Sequence, residues 1–248
     1  MCGIFGFSGK ADTKKIAILA MLNQKRGNHS WGTGYYFNDK RIQLKNTGLI
    51  TQFLMSRYLD ISLKSDSAIY HVRFATTGEI TQENAHPFFS DNNALFAHNG
   101  IINNHENFGK FAVDSQALGR GIDNLDFSDY QGSIGLCWLA NRALNLYRHN
   151  QTLAMGKDDK AIYFSSDVKD LKEIGINGQE LGENKLYTLR NGKLIEKRKI
   201  KSPKKWVYES NGGILQSYLG HTSVQKYLES LSDKSYEKML SEQGGSYE

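Results

Sequence analysis

The chain opens on an apolar strand headed by a cysteine, Met1-Cys2-Gly3-Ile4-Phe5-Gly6. A segment of that composition has to be buried, so the fold must be assembled around it. Once Met1 is removed, Cys2 carries a free α-amine beside its thiol. A thiolate is the strongest side-chain nucleophile near neutral pH, and an α-amine of pKa about 7.7 to 8.0 can take up and return its proton. Nucleophile and base then sit on one residue. On these six residues alone, a small buried cysteine at a strand start explains the pattern equally well.

The 248 residues can bury a sizeable core. A hydrophobic content of 39% and a charged content of 23% are those of an ordinary globular protein. No apolar run approaches the roughly 20 residues that cross a bilayer, and the N-terminus lacks the zones of a secretory leader, so a cytoplasmic protein with no membrane partner is expected. Cys2 and Cys137 are the two cysteines. Cys137 lies in the apolar run Ile134 to Ala140 and reads as a buried strand residue, and the seven histidines show no metal-ligand spacing, so neither a disulfide framework nor a metal is expected. The net charge of +5 owes much to Lys193, Lys197, Arg198, Lys199, Lys201, Lys204 and Lys205. A solvated strand edge or linker has the same composition, and no nucleic-acid motif accompanies it, so a nucleic-acid partner is not expected.

Taken in order, Asp12 can cap a helix whose Ile16, Leu19, Ala20 and Asn23 share a face, and Gly27 supplies a stop. Asn28 to Gly32 reads as a loop, followed by a hairpin of Thr33–Phe37 with Arg41–Leu44. Gln52 to Leu59 reads as one short helix and Ser67–Val72 as a strand ending at Arg73. Further strands are expected at Ala94–Ala97, Ser133–Ala140, Ala143–Tyr147, Ala161–Phe164 and Lys185–Leu189, the last turning through Asn191-Gly192 into Lys193–Glu196. Residues 2–200 form the expected main domain. Residues 201–248 read as a linker, marked by Pro203 and Asn211-Gly212-Gly213, and a C-terminal amphipathic helix with Val224, Tyr227, Leu228 and Leu231 on one face, able to pack back or to dock on a partner.

Between Arg73 and Asn104, polar residues and glycines crowd the loops around one strand, a pattern that commonly builds sites. A cysteine cleaving an amide needs donors for the tetrahedral oxyanion, and Asn99 with the Gly100 N–H is a candidate pair, although Asn-Gly is also a common turn. An amino-acid substrate further needs a cation for its carboxylate and an anion for its ammonium. Arg73 offers a bidentate fork and Asp114 a negative charge. Singly, Arg73 is equally explained as an ion-pair partner and Asp114 as a helix cap.

In order along the chain, Cys2-Gly3-Ile4-Phe5-Gly6, Arg26-Gly27, Arg73-Phe74-Ala75-Thr76-Thr77-Gly78, Asn84-Ala85-His86-Pro87, His98-Asn99-Gly100-Ile101-Ile102-Asn103-Asn104 and Asp114-Ser115 resemble the motifs of class II glutamine amidotransferases, with a late Ser165-Ser166-Asp167 matching the family's Ser-Asp after a strand. The resemblance runs from Cys2 to about Ile200 and is greatest to the glutaminase domain of the glucosamine-6-phosphate synthase branch. It implies an α+β fold, a four-layer αββα sandwich of the N-terminal nucleophile hydrolase type. It also implies that Cys2 attacks the side-chain amide of glutamine through a γ-glutamyl thioester. Asn99 and Gly100 would hold the oxyanion, Arg73 and Asp114 the α-carboxylate and α-ammonium, and Thr76, Gly78 and His86 would line the glutamine loop. No cofactor is implied. His29 stands where the branch usually has an acidic residue, and the connection from Gly100 to Asp114 is short for the family.

The resemblance stops before any synthase domain, so the ammonia is expected to pass to a separate synthase or to be released. Two other readings are a stand-alone N-terminal-cysteine amide or γ-glutamyl hydrolase without ammonia transfer, and a non-catalytic glutamine-binding or scaffold module.

Overall fold

The computed structural model describes residues 2–76 and 78–203. In chain order the elements are β1 (Gly3–Gly9), α1 (Thr13–Gln24), β2 (Ser30–Phe37), β3 (Lys40–Thr47), α2 (Thr51–Leu54), α3 (Arg57–Leu63), β4 (Ser67–Arg73), β5 (Phe88–Phe89) and β6 (Leu95–Ile102). After two single-turn 3₁₀ segments, His105–Phe108 and Asp114–Ala117, come α4 (Leu118–Asn124), β7 (Gly132–Ala140), β8 (Ala143–His149), β9 (Ala154–Lys157), β10 (Ala161–Ser165), α5 (Val168–Glu173), β11 (Gln179–Glu180), β12 (Lys185–Arg190) and β13 (Lys193–Lys199).

Among the described residues the strands form two sheets, one of seven in the order β11-β9-β10-β1-β4-β2-β3 and one of six in the order β13-β12-β8-β7-β6-β5. All the strand pairings in both are antiparallel. Alternation along each strand explains how they stack. On the first sheet, Phe5, Phe7, Tyr35 and Tyr70 face Ile16, Leu19 and Ala20 of α1, Phe53 of α2 and Leu171 of α5. The neighbours Ile4, Ile69 and Phe164 face the other way, against Leu95, Ala97, Cys137 and Leu146 of the second sheet. The far side of that sheet, with Phe96, Leu136 and Trp138, is covered by Leu118 and Ile122 of α4 and by Phe127. Three cores therefore separate four layers, helix–sheet–sheet–helix, as the α+β αββα expectation requires.

The local signals act as their chemistry dictates. Asp12 caps α1, its carboxylate accepting from Lys15 N at 3.0 Å. Asn191 and Gly192, both at positive φ, close the β12–β13 hairpin. Three expectations are corrected. Ser30, Trp31 and Gly32 belong to β2 and not to a loop, because they pair with Arg73, Val72 and His71 of β4. The helix expected over Gln52 to Leu59 is broken into α2 and α3 at Ser56, whose hydroxyl caps α3 by accepting from Tyr58 N. β6 runs on to Ile102, so Asn99 and Gly100 lie inside a paired strand.

The unit containing the described residues is Met1–Trp206. The second unit, Val207–Glu248, and with it the expected C-terminal helix, lies outside the described residues.

Candidate active site

The apolar core between the sheets turns polar at one end. Along β1 the inward positions include Ile4, and Cys2, just before the strand, is two residues back with the same parity. On β4, Ile69 is followed on that face by His71 and then Arg73, and the pairs Ile4–His71 and Gly3–Val72 bring Arg73 beside Cys2. On β6, Leu95 and Ala97 are followed by Asn99. On β10, Ile162 and Phe164 are followed, just past the strand, by Ser166. Four strand ends therefore deliver a thiol, a guanidinium, a carboxamide and a hydroxyl to one place.

Cys2 is half-buried, and its Sγ lies 3.4 Å from the amide nitrogen of Phe74. Burial pushes the thiol above its ordinary range, against the Phe74 hydrogen bond and the Arg73 charge, which favour the thiolate, while Asp114 adds to the rise. Arg73 is buried; desolvation lowers its pKa while the charges of Cys2 and Asp114 support its cationic form. Arg73 and Asp114 thus act on the Cys2 thiol with opposite sign. Arg73 also donates from Nη1 to the Glu79 carbonyl at 2.9 Å, and Asn84 Nδ2 donates to the same oxygen at 3.1 Å, which folds the loop containing Thr76 and Gly78 over the strand end.

Asn99 is 2% exposed, and its Nδ2 donates to Ser166 Oγ at 3.3 Å. Gly100 has φ +148°, and a Cβ there would run into the Ser133 carbonyl oxygen. Asp114 Oδ2 accepts from Ile102 N at 2.7 Å, so the short connection from Gly100 still returns the carboxylate to the end of β6.

Cys2, Arg73, Asn99, Gly100 and Asp114 are therefore brought to one end of the sandwich. Thr76 and Gly78 lie on the adjoining exposed loop. His86 is placed elsewhere: it is 2% exposed and lies between the sheets, with its ring 4.0 Å from that of His71 and against Phe88. Burial keeps it well below the usual histidine range, so it is a neutral packing group in this geometry.

Four neighbours had no role assigned from sequence. Arg26 donates from Nε to the Cys2 carbonyl at 3.1 Å, and Gly27 lets the Arg73–Phe74 backbone pass against it. His29, the departure from the motif, accepts from Ala75 N at 3.0 Å through Nδ1 and stacks on Phe74, supporting the loop that an acidic residue would otherwise flank. Ser166 was legible only as part of a motif, because its partner Asn99 is 67 positions away.

A cavity of about 540 Å³ is lined by Lys45, Phe88, Phe89, Phe111, Gln116 and Arg120, and by none of the converging groups. Among the described residues no cluster of His, Cys, Asp and Glu is placed to hold a metal, and no helix is long and apolar enough to cross a membrane.

Residues 1–120 match the sequence profile of the family described as class-II glutamine amidotransferases. The chain is 28% identical over 228 residues to the glutamine–fructose-6-phosphate aminotransferase (isomerizing) of Chlamydia trachomatis serovar D, spanning 79% of this chain and 37% of that protein. It is 35% identical over 108 residues to the enzyme of the same name from Pseudomonas aeruginosa, spanning 43% of this chain and 18% of that protein. The chain thus covers well under half the length of these relatives. Two solved structures share its fold over 80% of its length and 49% of theirs. One, titled the allosteric regulatory enzyme of purine biosynthesis, has a TM-score of 0.67 at 21% identity. The other, the glutamine phosphoribosylpyrophosphate amidotransferase of B. subtilis, has a TM-score of 0.64 at 22% identity.

Proposed function

We propose that this chain, whose residues 1–120 match the class-II glutamine amidotransferase family, hydrolyses the side-chain amide of glutamine to glutamate and ammonia through Cys2, once Met1 is removed. The observation that carries the reading is the convergence of Cys2, Arg73 and Asn99 at adjoining strand ends, with Asp114 tied to the end of β6 through Ile102 N. A nucleophile flanked by one buried cation and one carboxylate matches a zwitterionic amino acid with a reactive amide.

In this reading Arg73 pairs with the α-carboxylate and Asp114 with the α-ammonium of glutamine, which places the side-chain amide at Cys2. Because burial raises the thiol pKa, attack needs a local base, and the freed α-amine of Cys2 takes the proton as the C–S bond forms. The oxyanion is held by the Asn99 Nδ2–H and the Gly100 N–H; losing one such donor typically costs about 3 to 4 kcal/mol of transition-state stabilisation. The amine returns its proton to the departing nitrogen, ammonia leaves, and a γ-glutamyl thioester remains. Water, deprotonated by the same amine, then releases glutamate and restores the thiol. Thr76 and Gly78 would cover the substrate from the adjoining loop.

The ammonia would go to a separate synthase. Phe74 and Ile101, which directly follow Arg73 and Gly100, are 43% and 51% exposed, an apolar rim suited to a partner surface. Residues 2–200 would be the hydrolysing domain and residues 201–248 a docking tail. The test is release of glutamate from glutamine with and without candidate acceptor enzymes, together with mapping of the adduct left by a glutamine-mimicking electrophile. Glutamate release with the adduct on Cys2 supports the reading. An inert protein of proven N-terminal Cys2 overturns it, and acceptor-independent turnover removes the synthase partner alone.

A further inference from the structure

We propose that Ser166 is a positioning residue for Asn99, fixing which end of the carboxamide faces the nucleophile strand. The kinetic half of this proposal rests on the function proposed above; the geometry does not.

Ser166 is fully buried and sits just past β10, with its hydroxyl at the junction of the two sheets. Its Oγ accepts from Ile4 N at 2.8 Å and from Asn99 Nδ2 at 3.3 Å, and donates to Ile4 O at 3.2 Å. The Ser166 amide nitrogen also donates to Ile4 O, at 2.9 Å. A hydroxyl has one proton and two lone pairs, so these contacts exhaust it. With its proton given to Ile4 O, Oγ meets Asn99 as an acceptor. In that network the NH2 end of the carboxamide faces Ser166, and the oxygen faces away.

That assignment has a consequence for the reaction. Ile4 is two residues from Cys2 on the same face of β1, so Ser166 ties the strand of the nucleophile in the first sheet to Asn99 in the second. One Asn99 N–H is held by Ser166, and the other is left for an oxyanion forming at Cys2. With alanine at 166 the carboxamide loses the partner that selects its orientation, and a turned amide would set its oxygen against the oxyanion. Ser166 touches neither substrate nor thiol in this scheme. It acts through Asn99.

Four proteins test this: the native sequence, Ser166→Ala, Asn99→Ala and the double variant, with Ser166→Thr as the hydroxyl-retaining control. By NMR, the Asn99 side-chain N–H signals, assigned by their disappearance in Asn99→Ala, should exchange with water at least about 10-fold faster in Ser166→Ala. In kinetics, Ser166→Ala should lower kcat for glutamine hydrolysis about 10-fold or more with KM changed less than about 2-fold, and Ser166→Thr should recover part of the loss. In the Asn99→Ala background, the Ser166→Ala substitution should change kcat by less than about 2-fold. Unchanged exchange, or an equal kcat loss in both backgrounds, overturns the proposal. If the native protein proves inert toward glutamine, the function reading falls, and the exchange measurement alone still decides for or against Ser166.

Discussion

Arg26 holds the carbonyl oxygen of Cys2 from its Nε, across 3.1 Å and 24 positions of sequence. The bond anchors the backbone at Cys2 to the segment that follows α1, and it uses a planar fork that lysine does not reproduce. Arg26→Ala is expected to slow alkylation of Cys2 by a glutamine-mimicking electrophile about 10-fold, with Arg26→Lys in between. Equal labelling rates in all three proteins would remove the anchor from the account.

The two thiols should behave oppositely. Cys137 is fully buried in the inter-sheet core, with burial raising its pKa far above the ordinary range, whereas Cys2 is half-buried. A single adduct on Cys2 is expected by mass spectrometry, and Cys2→Ala should abolish turnover while leaving glutamine binding, measured calorimetrically, within a few-fold of native. Modification of Cys137 in the folded protein would contradict the packing.

Arg73 and Asp114 should govern binding more than chemistry. Arg73→Ala is expected to raise KM for glutamine by roughly 100-fold, a charged hydrogen bond being worth about 1.5 to 3 kcal/mol, with Arg73→Lys recovering little. Asp114→Asn should also raise KM, and glutaramate, which lacks the α-ammonium, should discriminate less between it and the native enzyme. A pure kcat effect in both variants would place them differently from this reading.

Acid should destabilise the sandwich from its centre. His71, His86 and His98 are buried and held below the usual histidine range chiefly by desolvation, His71 at about 3. With an unfolded value near about 6.5, the unfolded chain binds these protons first as pH falls, so stability is full above that value and declines below it. Between pH 6.5 and 5, before most carboxylates titrate, each histidine should remove up to roughly 2 kcal/mol in denaturant titrations. His86→Phe should flatten that slope by about one proton. A stability independent of pH across this window would refute the assignment.

Gly100 and Gly175 separate strain from crowding. Both have positive φ, +148° and +73°, but a Cβ at Gly175 meets open space, whereas at Gly100 it meets the Ser133 carbonyl. Gly175→Ala should cost about 1 kcal/mol in thermal or denaturant unfolding. Gly100→Ala should cost more, and should eliminate activity through displacement of β6 from β7. Similar losses for the two would show that conformation alone accounts for both glycines.

What was readable in advance divides along physical lines. Asp12 and Asn191-Gly192 act on their own neighbours, so the cap of α1 and the last hairpin were visible in the residues. The inward turn of Cys2, Arg73 and Asn99 was not, because it depends on registers such as Ile4 with His71 and Asn99 with Gly135. Asn99-Gly100 looks like a turn locally, yet pairing with β7 keeps it in a strand. Helix α4 holds Gly119 and Gly121, poor helix formers, and the close fit of Gly121 against Phe127 and Tyr130 explains why a tertiary contact prevails there. His86 shared a motif with the loop residues but took a place in the interior, where its neighbours are set by the fold and not by the sequence around it.

The placement of β1 also bears on the order in which the protein can be made. Phe5 pairs with Tyr70 on one side and with Ser165 on the other. At a typical elongation rate of 5 to 20 residues per second, the second neighbour follows the first segment by on the order of 10 seconds or more. Throughout that interval β1 lacks one flank, and Phe5 and Phe7 wait for half of their strand partners. Closure of the first sheet around β1 therefore waits on a strand about 160 residues downstream, a long-range pairing of the kind that slows folding.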